Sequence, residues 1–172
     1  MYYKGFEYLI RAIRAVEKDA LLMLGGTGPL TGALQALAQA EGVAERIQFL
    51  GRIPDTELPA HYHAADIFCL PSIEPSEAFG LVQVEAMICR KPVISCELNN
   101  GVSYVNRHGE TGLVVPPRDP DALAQALNRL LDNDALRKNM GEAGHVRAKD
   151  EFTLDRMWRE TLAVYRQVTV KQ

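Results

Sequence analysis

The sequence predicts an α/β domain with a Rossmann-like, doubly wound parallel sheet and a helical cap at its C-terminal end. Short apolar runs that stop at glycine or proline alternate with amphipathic stretches over about the first two thirds of the 172 residues. Such alternation builds right-handed βαβ units, whose sheet is parallel and covered on both faces. Helical stretches with no strand between them fill the last third. We therefore expect one domain over residues 1–172.

The predicted strands are short apolar runs that end at turn-forming residues. A buried parallel strand is typically this short and this continuously apolar. The five predicted strands are Ala20–Leu24, Ile47–Leu50, Ile67–Leu70, Pro92–Cys96 and Gly112–Val115.

The predicted helices carry apolar residues at helical spacing or the composition of helices. Asp55 is predicted to cap the third of them, and Asn99–Gly109 is predicted to be a glycine-rich turn. The predicted helices are Gly5–Glu17, Leu30–Glu41, Asp55–Ala65, Gly80–Cys89, Asp119–Leu131, Asp134–Lys149 and Leu154–Val168.

The composition excludes several classes of function. The 19 basic and 22 acidic residues give a net charge of -3, which argues against a nucleic-acid partner. Three cysteines without a Cys-x-x-Cys pair favour a reducing compartment, so we expect a cytoplasmic protein. No apolar run approaches the roughly eighteen residues that a membrane-spanning helix needs.

Ligands of doubly wound sheets bind beyond the carboxyl ends of the strands. The loops at that edge are predicted to be Gly25–Pro29, Gly51–Asp55, Pro71–Gly80 and Cys96–Asn100. We expect the site to be assembled from these four loops.

Two glutamates flank a predicted helix start within the third loop. Glu77 precedes the helix that begins near Gly80, and Glu85 lies more than one turn into it, roughly 12 Å or more from Glu77 at helical rise. The free amides of Leu81 and Val82 would favour phosphate between them. A sugar nucleotide, with hydroxyls at both ends of a diphosphate, fits this layout. The alternative is that Glu77 is a charge at the helix terminus and Glu85 a structural acid.

Several motifs in order resemble the C-terminal, donor-binding domain of retaining family-four (group 1) glycosyltransferases, which is one half of the GT-B fold. The resemblance covers nearly the whole chain. It rests on the segments Tyr3-Lys4-Gly5, Gly25–Pro29, Pro71-Ser72, Glu77-Ala78-Phe79-Gly80-Leu81, Glu85-Ala86-Met87, Lys91-Pro92-Val93-Ile94-Ser95, Gly109–Pro117 and Asp119–Leu131.

The resemblance implies a role for each part of the glutamate motif. Glu77 and the backbone of Phe79 and Gly80 would bind hydroxyls of the transferred sugar. The amides of Leu81 and Val82 would bind the pyrophosphate.

The resemblance also implies the remaining contacts. Glu85 would bind the ribose hydroxyls, and Lys4 would neutralise the diphosphate as a point charge. Arg52 and Ile53 would pack against the nucleobase, largely through the backbone. Asp55 is expected to cap its helix rather than touch the base.

The function that the resemblance implies is transfer of a hexose from a UDP- or GDP-sugar to a hydroxyl acceptor, with retention, in glycan or glycolipid synthesis. The leaving diphosphate would take the acceptor's proton while Lys4 and the helix terminus stabilise its charge. We expect no metal and no cofactor. The alternative is a non-catalytic nucleotide-binding or scaffolding module.

Two departures from the family pattern predict that residues 1–172 are a fragment. The family places a strand and a diphosphate-binding arginine before Tyr3, and its N-terminal domain carries the acceptor site. We therefore expect weak donor binding and no turnover from this polypeptide. Membrane association, at the inner face, would come through the missing domain.

The last predicted helix carries an amphipathic stripe that includes Trp158 and Tyr165. We expect part of it to be exposed, or to pair with the missing domain or a second copy. The alternative is that it packs on this domain's own sheet.

Three other enzymatic functions fit the sequence less well. A nicotinamide fingerprint requires glycine where Thr31 stands. His61 and His63, two positions apart on a helix, point to different faces and do not form a metal pair. A GT-B epimerase would share the fold and the donor but gives no reason for the glutamate pair.

Overall fold

Five short strands alternate with helices in the computed structural model, which describes residues 2–169. All five predicted strands are confirmed, with bounds that differ by at most two residues. They are β1 (Leu22–Gly25), β2 (Ile47–Gly51), β3 (Phe68–Leu70), β4 (Val93–Cys96) and β5 (Gly112–Val115).

The helices surround these strands, and three single turns of 3-10 helix, Tyr2–Lys4, Ile13–Ala15 and Ala44–Arg46, join them. The eight described α-helices are α1 (Phe6–Ala12), α2 (Thr31–Ala40), α3 (Leu58–Ala64), α4 (Leu81–Ile88), α5 (Gly101–Val105), α6 (Pro120–Leu131), α7 (Asp134–Glu151) and α8 (Leu154–Thr169).

All strand pairs are parallel, as predicted for a Rossmann-like domain. β1 pairs with β2, and β3, β4 and β5 form a second ladder in that order. Within residues 2–169 no ladder joins the two groups, but Cys69 on β3 packs against the apolar clusters of both. Because parallel ladders place all carboxyl ends at one edge, the loops after β3 and β4 lie side by side there.

The core is centred on β4, whose four residues are all buried. Two of the three helices predicted for the cap, α6 and α7, pack on this core and bury Leu123, Leu130 and Met140. Side chains of these helices replace solvent on the sheet face, which explains the continuous apolar run of the strand.

Two local predictions are wrong. Asp55 does not cap a helix: α3 begins at Leu58, after a turn at Pro54, because Pro59 suits the first helical turn. The segment Asn99–Gly109 is not only a turn, because it contains α5 with Asn100 as its N-cap. Val102 and Val105 are the buried face of this short helix.

Helix α8 buries none of its side chains. Trp158 is 60% exposed and Tyr165 is 63% exposed. The alternative that its stripe packs on this domain's own sheet is therefore wrong. No helix within residues 2–169 combines the length and the apolar composition needed to cross a membrane.

Candidate functional site

The segment before α1 lies against the loop that follows β3. The amide of Ile73 donates to the carbonyl of Tyr3 at 2.8 Å. Gly5 has φ 66, and a Cβ there would lie 2.0 Å from the carbonyl oxygen of Pro71, so only glycine permits this approach. The close contact brings Lys4 to the loop that carries Glu77.

Glu77 is a buried carboxylate held by two side chains. Its Oε2 accepts from the ammonium of Lys4 at 2.5 Å and from the hydroxyl of Ser72 at 2.9 Å. Its Oε1 accepts no hydrogen bond from the described residues. A buried charge is stable when it is paired and hydrogen-bonded, and this one keeps an oxygen for a further donor.

The N-terminus of α4 follows directly. Gly80 adopts a left-handed conformation with φ 69, and no side chain caps the helix. Neither the Leu81 nor the Val82 amide donates to another group within residues 2–169. Free amides at the positive end of a helix of this length favour an anion, and Lys4 adds a full positive charge nearby.

Glu85, one helical turn and a half from the start of α4, has its own partner. Its Oε2 accepts from the hydroxyl of Tyr62 at 2.8 Å. Burial, together with the Glu85 carboxylate, raises the pKa of Tyr62, so this hydroxyl remains a donor at neutral pH. The ring of Tyr62 packs edge-on against Phe68 at 5.7 Å between centroids. The hydrogen bond between Tyr62 and Glu85 joins α3 to α4.

Sequence analysis missed Tyr62 and Ser72 as anchors of the two glutamates. Ser72 was part of a recognised segment without an assigned role, and its place directly after β3 was the signal available. Tyr62 carried no such signal, because an aromatic residue on a helix is commonly part of the core.

The loop after β2 packs Ile53 against the end of β1 and leaves Arg52 exposed. A Cβ at Gly25 would lie 2.7 Å from Cδ1 of Ile53, so this side chain covers the end of β1. Arg52 is exposed and forms no ion pair with a described residue. These two residues lie at the predicted edge, but no hydrogen bond connects them to Glu77 or Glu85.

The three cysteine thiols are not activated. Burial raises the pKa of Cys96 to about 12 and raises the pKa values of Cys69 and Cys89 as well. Thiols with raised pKa values are poor nucleophiles at neutral pH. The chemistry of the site rests on Lys4, the free amides and the two carboxylates.

A family model described as glycosyl transferases group 1 matches residues 1–147. The chain belongs to the group 1 glycosyltransferases. Among the relatives of this group 1 chain is the D-rhamnosyltransferase WbpZ of Pseudomonas aeruginosa, 38% identical over 152 residues, which are 88% of this chain and 39% of the relative. A second is the GDP-mannose-dependent alpha-(1-6)-phosphatidylinositol monomannoside mannosyltransferase of Mycolicibacterium smegmatis, 37% identical over 91% of this chain and 42% of the relative.

Solved structures agree with this membership. The Anabaena protein Alr3699/HepE in complex with UDP-glucose superposes with a TM-score of 0.86 at 26% identity, over 95% of this chain and 46% of that protein. The group 1 chain spans about two fifths of the length of the curated relatives it matches. The predicted GT-B half-domain is confirmed.

Proposed function

We propose that this chain is the donor-binding domain of a retaining glycosyltransferase that transfers a hexose from a UDP- or GDP-sugar to a hydroxyl acceptor in glycan or glycolipid synthesis. The observation that carries the proposal is the order of groups along the loop before α4 and the helix itself. A carboxylate with one free oxygen, two free amides and a second anchored carboxylate follow each other from Glu77 to Glu85.

Each part of the donor then has a partner. Oε1 of Glu77 accepts a sugar hydroxyl, which the backbone of Phe79 and Gly80 also contacts. The amides of Leu81 and Val82 bind the pyrophosphate.

Lys4 contacts both the residue that binds the sugar and the diphosphate. Its ammonium has three donors, so it can keep its bond to Glu77 and donate to a phosphate oxygen as well. Glu85 accepts from the ribose hydroxyls while Tyr62 holds it in place.

The reaction follows from these charges. The bond between the anomeric carbon and the phosphate oxygen breaks while the acceptor oxygen approaches from the same face, and the leaving phosphate takes the acceptor's proton. Lys4 and the α4 terminus stabilise the charge that grows on the leaving group. Since these groups are cationic and dipolar, we propose that transfer needs no metal and no cofactor.

The base contact is assigned to the backbone around Arg52 and Ile53. One relative is named as GDP-mannose-dependent and a structural neighbour holds UDP-glucose, so the proposal includes both bases.

The rest of the enzyme is proposed to be an N-terminal GT-B domain with the acceptor site. The relatives are more than twice as long as the matched segment, and α8 exposes an apolar stripe that such a domain could cover. A cytoplasmic location, with any membrane contact made through that domain, completes the proposal. The alternative is a nucleotide-binding or scaffolding module without activity.

Two experiments test the proposal. NMR titration of the chain with UDP, GDP, UDP-glucose and GDP-mannose should show weak, saturable shifts centred on α4. Joining the chain to the N-terminal portion of a relative should give transfer with retention that survives EDTA. Tight binding without activity in any such fusion would favour the scaffolding alternative, and activity that needs added Mn²⁺ would contradict the metal-independent mechanism.

A further inference from the structure

The N-terminus of α5 lies directly against the loop that carries Glu77. A Cβ at Gly101 would lie 2.5 Å from the carbonyl oxygen of Ala78 and 2.8 Å from the ring of Phe79. The two backbones therefore approach more closely than any side chain at position 101 would permit.

Asn100 joins these two segments with one amide group. Its Oδ1 accepts from the amide of Val102 at 3.0 Å, which caps α5. Its Nδ2 donates to the carbonyl oxygen of Glu77 at 2.9 Å and, more weakly, to that of Pro75 at 3.4 Å. The same side chain thus begins α5 and holds the main chain of Glu77.

A second amide fixes the next turn of the loop. Nε2 of Gln83, a buried side chain, donates to the carbonyl oxygens of Phe79 at 3.1 Å and Val102 at 3.5 Å. The loop is therefore tied to α5 at Glu77 and again at Phe79. Gln83 cannot replace Asn100, because it reaches two residues further along the loop.

Resting on the proposed function, we propose that Asn100 is a positioning residue that fixes the Glu77 carboxylate for the donor sugar. Lys4 and Ser72 hold Oε2 of Glu77, and Asn100 holds its main-chain carbonyl oxygen. Both restraints are needed to fix the direction of Oε1. The free amides of α4 do not depend on this bond, so the diphosphate site is unaffected.

The test replaces Asn100 without removing the helix cap. Serine caps helices about as well as asparagine, so Asn100→Ser keeps an oxygen that can accept from Val102. The variant lacks the Nδ2 amide that donates to the carbonyl of Glu77. Asn133→Ser is the matched control, since Asn133 caps α7 in the same way at 2.9 Å and donates to no site residue among those described. Asn100→Asp gives a second variant that keeps both shape and cap.

The ligands are UDP with UDP-glucose and GDP with GDP-mannose, titrated into the 172-residue chain by NMR. We expect Asn100→Ser and Asn100→Asp to weaken the sugar nucleotide about five-fold, the size of one net hydrogen bond, with no change for the matching nucleoside diphosphate. Asn133→Ser should leave both affinities unchanged even if it lowers the melting temperature.

The outcomes separate this inference from the proposed function. Equal losses for both ligands, or no loss for either, in the Asn100 variants would overturn the positioning role while binding by the unmodified chain keeps the proposed function. If the unmodified chain binds none of the four probes, the proposed function is overturned and this inference with it.

Discussion

The ammonium of Lys4 lies 2.5 Å from Oε2 of Glu77, although 73 residues separate the two in the chain. The pair joins the segment before α1 to the loop before α4. Sequence analysis assigned the two residues to neighbouring parts of one ligand, the diphosphate and the sugar. Their direct contact makes these two proposed subsites neighbours.

This ion pair should be measurable as an energetic coupling. In a double-mutant cycle of Lys4→Met and Glu77→Gln, we expect a coupling of about 1 kcal/mol in the free energy of unfolding, because Glu77 is buried and Lys4 is only partly exposed. Urea denaturation measures it. The more exposed pair Arg156 and Glu160 is the control and should couple less. Additive single effects at Lys4 and Glu77 would show that the contact does not stabilise the domain.

Tyr62 should matter for the nucleoside part of the donor. Tyr62→Phe keeps the ring against Phe68 but removes the hydroxyl that holds Glu85. We expect UDP and UDP-glucose to lose affinity equally, each by about 1 kcal/mol or roughly five-fold. Tyr165→Phe, on the exposed face of α8, should change neither. An unchanged affinity in Tyr62→Phe would remove Tyr62 from the site.

The close packing of Gly80 at the start of α4 can be tested against Gly42, a glycine with the same backbone conformation elsewhere in the chain. Both have φ near 70°, but a Cβ at Gly80 would lie 2.6 Å from Leu70, whereas one at Gly42 meets nothing within 4 Å. We expect Gly42→Ala to cost about 1–2 kcal/mol of the unfolding free energy for its backbone alone. Gly80→Ala should cost more, measured by chemical denaturation. Equal costs would mean that Leu70 yields freely.

The exposed stripe of α8 should support association. We expect the chain to self-associate reversibly as its concentration rises in analytical ultracentrifugation, and Trp158→Glu to abolish this. The melting temperature should stay unchanged, because α8 buries no side chain. A monomer at every concentration would contradict self-association and leave the stripe for the proposed N-terminal domain.

Much of the fold was predictable because its signals are local. β4 and β5 are apolar runs bounded by proline or glycine, and the parallel pairing follows from the helices between them. The start of α3 was missed because Pro59 outweighed Asp55 as a helix signal. α5 was missed because it is five residues long and begins with glycine, which obscures its periodicity.

The candidate site was predictable in part. The motif around Glu77 and Glu85 pointed to α4, and the structure brings Lys4 into contact with Glu77. Tyr62 and Asn100 could not be predicted as anchors, because each lies 23 residues from the group it holds. Such contacts depend on packing between α3, α4 and α5, which no local pattern encodes.

The most direct test of the donor site compares Glu77→Gln with Glu85→Gln. Glu85→Gln should weaken nucleoside diphosphate and sugar nucleotide alike, by about 1.5–3 kcal/mol if a charged hydrogen bond is lost. Glu77→Gln should weaken only the sugar nucleotide, because the proposed partner of Glu77 is a hydroxyl of the transferred sugar, which a nucleoside diphosphate lacks. Titration of both variants with UDP and UDP-glucose, and with GDP and GDP-mannose, gives the ratios. A differential loss in Glu77→Gln alone is the predicted result, and equal losses of diphosphate affinity in the two variants would contradict the sugar-binding role of Glu77.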